Sequence, residues 1–207
     1  MRSAGKASLG VYPETKHPTY FQRLGLPMED ALLAILTRHG YASRESPVFI
    51  QSFETGNLRA LRGKTSLRLI QLIEADGAPH DLVVAGDRRT YADLTTPKEL
   101  AEIATYADGI GVHKGLVIPR LADGRLGSPT RLVADAHAAG LLVHGWTFRA
   151  ENEFLPENFQ SGDDPAAQGQ LAGEIVTFLN AGMDGFFTDH PDLGVVARAA
   201  FTERRSR

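Results

Sequence analysis

Val48-Phe49-Ile50-Gln51-Ser52-Phe53, then Thr55–Arg62, then Leu67–Ile73, is the stretch whose reading decides the fold. The first run is β-branched and aromatic and follows Pro47, which marks a strand. Thr55–Arg62 reads as a short helix stopped at Gly63, and Leu67–Ile73 is strand-like again. A strand, a helix and a strand joined by short links form a βαβ unit, whose two strands lie parallel. The same alternation extends both ways. Leu9–Tyr12 is a short β-like run ending at Pro13-Glu14-Thr15-Lys16. A helix from about Pro27 puts Leu32, Ile35, Leu36 and His39 on one face and stops at Gly40.

Downstream, Glu74–Thr95 is polar and turn-rich and reads as a long loop. Thr96-Pro97-Lys98-Glu99 opens a helix: Thr96 can cap the free amides, Glu99 can reach back, and Pro97 suits the first helical position. Ser128-Pro129 opens another helix, running to Ala139 with Gly140 past its end. Leu141–Thr147 is a strand followed by a polar loop to about Pro165. A helix over about Gln168–Ala181 leads to a last strand, Gly185–Asp189, and a closing helix starts near Pro191. Five strands alternating with helices predict an α/β chain with a parallel sheet. Right-handed crossovers place every C-terminal strand end on one side, where ligands bind in such folds.

The 207 residues suit one domain, and 43% hydrophobic against 23% charged residues matches a globular chain with a real core. Twenty-two Lys and Arg against 25 Asp and Glu leave a net charge of −3. That excludes the basic stripe of a nucleic-acid binder. No apolar run approaches a membrane span, and Met1-Arg2-Ser3-Ala4-Gly5-Lys6 leads into no apolar stretch of signal-peptide length. Zero Cys excludes thiolate metal sites and a Cys nucleophile. Glycine-rich phosphate loops, G-x-S-x-G elbows and zinc motifs are absent from the sequence.

The residues at the strand ends carry the chemistry. Glu14 and Lys16 are two apart, so both point to one face. A carboxylate there can ligate a hard cation and an ammonium can hold a phosphate oxygen; an ion pair in a packing role fits the same spacing. Trp146, the only Trp, can wall a small polyol or sit in the core. Gln51 interrupts an apolar strand, where its amide must find substrate or backbone partners. His17 and His144 are the two histidines near this edge and the candidates for general acid or base. His39, His80, His113, His137 and His190 read as surface or satisfied polar groups.

Four stretches occur in order: Val11-Tyr12-Pro13-Glu14-Thr15-Lys16; Phe49-Ile50-Gln51-Ser52-Phe53-Glu54; Ala136–His144 with Trp146-Thr147-Phe148-Arg149; and Gly182–Asp192. With Glu151–Pro156, they resemble the second half of the glycerophosphodiester phosphodiesterase family, in its longer GlpQ-like branch. The likeness runs from about Leu9 to Ala197. It implies a TIM (β/α)₈ barrel that hydrolyses a glycerophosphodiester to glycerol 3-phosphate and an alcohol, with Ca²⁺ or Mg²⁺. By motif, it implies Glu14 as a metal carboxylate and Lys16 as the phosphate-binding cation. Gln51, Phe53 and Trp146 would lie against substrate, with Trp146 near the glycerol end.

The family also begins with a His-Arg-Gly strand, a Glu-x-Asp strand that gives the other two metal ligands, and a His-Asp strand. The two catalytic histidines stand on the first and third of these. None of these precedes Glu14 in this sequence, and nothing in it reads His-Arg-Gly. The resemblance therefore implies one domain over residues 1–207 that is a C-terminal portion, about strands 4–8, of a barrel of about 250 residues. Open strand edges and an uncovered apolar face would invite self-association or a missing N-terminal half. The implied parent is periplasmic or secreted. Two alternatives share the residues: a non-catalytic partial barrel acting as a binding or assembly module, and a sphingomyelinase D-like phosphodiesterase.

Overall fold

In a computed structural model describing residues 9–205, the βαβ unit forms as read. Strand β1 (Phe49–Ser52) passes through helix α3 (Thr55–Arg62) into strand β2 (Arg68–Ile73), and the strands pair in parallel with Gln51 beside Ile70. Strands β3 (Gly109–His113), β4 (Leu142–Phe148) and β5 (Gly185–Thr188) extend one parallel sheet in the order β1-β2-β3-β4-β5. The N-terminal stretch Met1–Lys6 lies outside the described residues. No described helix is long and apolar enough to cross a membrane.

The first predicted strand, Leu9–Tyr12, forms only two isolated parallel bridges to the β1 side, Val11 to Val48 and Glu14 to Gln51. Its ladder runs from Val11 N–H to the Pro47 carbonyl and resumes with Thr15 N–H to the Gln51 carbonyl. Pro13 stands between them and has no N–H to donate, which removes a rung. Helix α1 (Pro18–Arg23) follows directly, and helix α2 (Glu29–Arg38) begins two residues after the predicted start.

β3 is the strand absent from the sequence reading. Gly109 and Gly111 stand on its inner face, where a Cβ would lie 2.7 Å from the Leu142 carbonyl oxygen or 2.6 Å from Leu72 Cδ2. Glycine is demanded by the crowding, and glycine is what hides a strand from propensity. Glu74–Thr95, read as a loop, contains helices α4 (His80–Ala85) and α5 (Tyr91–Leu94). A capping box supports α5: Thr90 accepts from Asp93 N–H, while Asp93 accepts from Thr90 N–H at 2.7 Å. In helix α6 (Pro97–Ile103) Thr96 caps as read, but Glu99 is held by Arg89 at 2.8 Å instead of reaching back. Helix α7 (Leu132–Ala138) starts later than Ser128, with Thr130 Oγ1 accepting from Leu132 N–H. Helices α8 (Leu171–Asn180) and α9 (Pro191–Arg205) flank β5.

The sheet is strongly curled. Five inter-strand steps separate Tyr12 from Phe187, which would be about 24 Å in a flat sheet, yet their ring centroids are 4.8 Å apart. Tyr12 also stacks on Phe49 at 5.2 Å and hydrogen-bonds His144 Nδ1 at 2.9 Å. The inner face is therefore lined by aromatic side chains that pack on one another, Tyr12, Phe49 and Phe187 staying partly exposed. The outer face carries the main core: Ile50, Leu69, Ile73, Ile110, Val112 and Val143 are fully buried, packed under the helices. The result is an α/β, parallel, half-barrel sheet whose strand ends meet on one edge.

Candidate active site

Alternation aims the residues of this edge. Thr15 is buried on the outer side, donating from Oγ1 to Asn57 Oδ1 at 2.6 Å, and its carbonyl accepts from Ser52 Oγ at 3.1 Å. Asn57 is held in turn by Glu29, which also accepts from Gln22. With Thr15 anchored outward, Glu14 and Lys16 must face inward. Gln51 and Phe53 do the same because Ile50 and Ser52 are buried outward.

On β4, Trp146 and Thr147 oppose Phe187 alone, a register shift between Gly145 and Phe148. Such an extra residue re-aims side chains locally. Trp146 then stands edge-to-face with Phe53 at 5.9 Å and with His113 at 5.4 Å. Glu14, Lys16, Gln51, Phe53, Trp146 and Asp189 line one cleft of about 350 Å³. Five sequence-predicted residues are thus brought together from three separate stretches of chain.

Lys16 Nζ is 4.0 Å from Glu14 Oε1, with the Lys16 side chain 69% exposed. Exposed ion pairs of that length contribute little, so the lysine is free to engage another anion. Glu14 Oε1 is buried and has no hydrogen-bond partner, and the same is true of Trp146 Nε1. Buried polar atoms are nearly always paired, so two orphans on one edge point to a ligand.

The two predicted histidines differ in place. His17 is exposed and is the non-glycine residue in the left-handed region, φ 50°, turning the chain into α1. It lines a second cleft, of about 270 Å³, beside Lys16. His144 is 8% exposed, two residues below Trp146, with the Tyr12 hydroxyl on Nδ1. Burial lowers its pKa, opposed by Asp184, so the ring stays neutral near pH 7.

His113 and Lys114 were read as peripheral or passed over, and the structure places both at the edge. They line a larger cleft, about 710 Å³, on the other side of Trp146 with Arg120, Arg149 and Glu174. Burial lowers the His113 pKa. Lys114 Nζ lies 2.7 Å from Glu174 Oε1, the pair being 12% and 0% exposed. Burial pushes the lysine down and the carboxylate up, and each partner's charge opposes the other's shift. The signal that could have found them was a His-Lys pair closing an alternating Gly-Ile-Gly-Val run. His80 lines the 270 Å³ cleft, while His137 and His190 are satisfied by Asp184 and Glu151.

Among the described residues no group of three His, Asp or Glu side chains is placed to hold a metal ion. A hard divalent cation takes six or more oxygens, several of them carboxylate in a tight site. Glu14 offers one unpaired oxygen, so the residues present do not complete such a site.

The glycerophosphoryl diester phosphodiesterase family model matches residues 7–193. The chain belongs to that family. It is 33% identical over 194 residues to the glycerophosphodiester phosphodiesterase GDPD6 of Arabidopsis thaliana, covering 87% of this chain and 49% of that protein. With the glycerophosphodiester phosphodiesterase of Haemophilus influenzae it shares 27% identity over 207 residues, 94% of this chain and 53% of that one. The chain thus spans about half the length of these curated relatives. Its fold matches the crystal structure of a glycerophosphodiester phosphodiesterase from Parabacteroides distasonis with a TM-score of 0.53 at 14% identity, covering 95% of this chain and 58% of that one. Glu14 and Trp146 on the strand-end edge are among the described residues that bury a polar side-chain atom without a partner.

Proposed function

We propose that this chain carries the phosphate- and alcohol-binding edge of an enzyme that hydrolyses glycerophosphodiesters to glycerol 3-phosphate and an alcohol. One observation carries the reading: the orphaned Glu14 oxygen beside the exposed Lys16 ammonium, on the strand-end edge walled by Phe53 and Trp146. Membership in the family supports the reaction class.

In this reading Lys16 holds a non-bridging phosphate oxygen and offsets the charge that develops there. Gln51 hydrogen-bonds the substrate, and Phe53 and Trp146 form its apolar walls, with Trp146 toward the glycerol. Glu14 is one carboxylate of a Ca²⁺ or Mg²⁺ site whose other ligands are not clustered among the described residues. Hydrolysis adds a water oxygen to phosphorus and breaks the phosphorus–oxygen bond to the alcohol, which leaves with a proton. His17, exposed beside Lys16, is the better placed of the two histidines to exchange protons, since His144 is sealed against Tyr12. We read residues 1–207 as the C-terminal part of one such domain. With one carboxylate and no paired acid and base, the chain alone is expected to turn over slowly.

The test is glycerol 3-phosphate release from glycerophosphocholine by the 207-residue chain, with Ca²⁺ or Mg²⁺ and with EDTA. The reading expects any turnover to be EDTA-sensitive and to vanish in both Glu14→Ala and Lys16→Ala. Turnover indifferent to both substitutions would overturn it.

A further inference from the structure

Residues 15–28 contain no Asp or Glu, although the chain holds 25 of them in 207 residues. The same stretch carries Lys16, His17 and Arg23, and three of its apolar side chains are exposed: Tyr20 53%, Leu24 57% and Leu26 61%. We propose that residues 20–26 dock the chain on an anionic lipid surface. The docking requires no particular reaction in the neighbouring clefts.

The exposure is held by the backbone. Helix α1 ends in the two bonds of a Schellman motif, Gly25 N–H to the Gln22 carbonyl at 3.0 Å and Leu26 N–H to the Phe21 carbonyl at 2.9 Å. Gly25, at φ 73°, supplies the left-handed residue that this ending needs. At the other end of the helix Thr19 N–H donates to Glu54 Oε2 at 3.0 Å, and Tyr20 stands edge-to-face with Phe21 at 5.3 Å. Residues 22–27 are exposed in succession. A hydrogen-bonded turn that keeps Leu24 and Leu26 in water gains nothing from them in the free chain, and apolar clusters displayed in this way mark interaction sites.

Charge selects the partner. The carboxylates that follow the turn are withdrawn from it. Glu29 is buried and accepts from Gln22 and Asn57, while Asp30 is held by Lys64 at 2.6 Å. Arg23 is exposed and, among the described residues, makes no ion pair. With a net charge of −3 on the whole chain, an anionic surface is attracted at this segment and not by the molecule at large. A tyrosine, two leucines and a basic side chain suit the border between acyl chains and headgroups, where their apolar parts sink and their polar ends stay wet. Helix α9 supplies the contrast: it exposes Val195 and Val196, with Asp192 one turn before them, and a carboxylate there opposes such a surface. Lys16 and His17, which lead into α1, line the 270 Å³ cleft, so docking brings that cleft to the headgroup layer.

The experiment is co-sedimentation of the full chain with sucrose-loaded vesicles, of phosphatidylcholine alone and of phosphatidylcholine and phosphatidylglycerol in equal parts. It is repeated with Leu24→Ser/Leu26→Ser, Arg23→Gln and Val195→Ser/Val196→Ser, each checked by circular dichroism, and light scattering reports self-association. The proposal expects binding to the mixed vesicles that falls about fivefold or more in the leucine variant and about threefold or more in Arg23→Gln. The valine variant should bind as the wild type does. Should the leucine variant fail to fold, Tyr20→Ser takes its place. Absent binding to the mixed vesicles, equal binding to phosphatidylcholine alone, or equal binding by the wild type and either variant of the segment overturns the proposal. So does a wild-type dimer that the leucine variant dissociates, which would make the segment a contact between copies of this chain.

Discussion

On the outer face of the sheet Ile50, Leu69, Ile110, Val112 and Val143 lose all contact with water. Gln71, buried there, donates to the Phe53 carbonyl at 3.1 Å and accepts from Tyr106 at 3.0 Å. The inner strand-end edge is the reverse. Glu14 and Trp146 each bury an atom without a partner there, within reach of clefts rather than of helices. Each apolar side chain withdrawn from water contributes about 1.5–3 kcal/mol, and each orphan costs about 1–3 kcal/mol. The outer face is built for stability; the inner edge gives some of that stability up where a ligand can restore it.

The contrast breaks most easily at the outer face. Phe148 is fully buried against Phe178 at 5.1 Å, so Phe148→Ala should lower unfolding stability by about 3–5 kcal/mol, read as a drop in the urea midpoint. The buried Lys114–Glu174 pair lies between the two regimes, at the wall of the large cleft. Lys114→Met strands the carboxylate and should cost about 3–5 kcal/mol, while Lys114→Met with Glu174→Leu should recover most of it. A double variant no better than the single would show that the pair's partners, not its charges, hold that wall.

A pH series sharpens the comparison within the inner face. The His144 pKa is lowered in the folded chain by burial, so the unfolded chain binds the extra proton more readily. Its contribution is fully present above the unfolded value of about 6.5 and is lost as pH falls from there. Urea midpoints at pH 8 and pH 5.5 should therefore diverge more in the wild type than in His144→Gln. The smallest stability effect belongs to the site itself. Glu14→Gln should change stability by less than about 1 kcal/mol, because the one ion pair it breaks, to the exposed Lys16 at 4.0 Å, contributes little.

Legibility in the sequence divides along the same line. The βαβ unit, the α/β class and the parallel sheet follow from residues whose pattern and role coincide, such as Val48–Phe53 and Leu67–Ile73. Glu14, Lys16, Gln51, Phe53 and Trp146 converge in one cleft because alternation along strands is enough to predict a shared face. What escaped was tertiary in origin. Gly109 and Gly111 are dictated by Leu72 and Leu142 from neighbouring strands, and nothing local in Gly-Ile-Gly-Val announces that demand. His113 and Lys114 escaped with that strand. The aromatic contact on the inner face forms because the curl brings Tyr12 to Phe187 across 175 residues of chain, a meeting that no window of sequence contains.

The central claim is that the Glu14–Lys16 edge recognises a glycerophosphate, and calorimetric titration of sn-glycerol 3-phosphate tests it most directly. The account predicts saturable binding by the wild-type chain, weakened about tenfold or more in Lys16→Met, with both proteins sharing one urea midpoint. Equal affinity in Lys16→Met, or no binding by a folded wild-type chain, would contradict it.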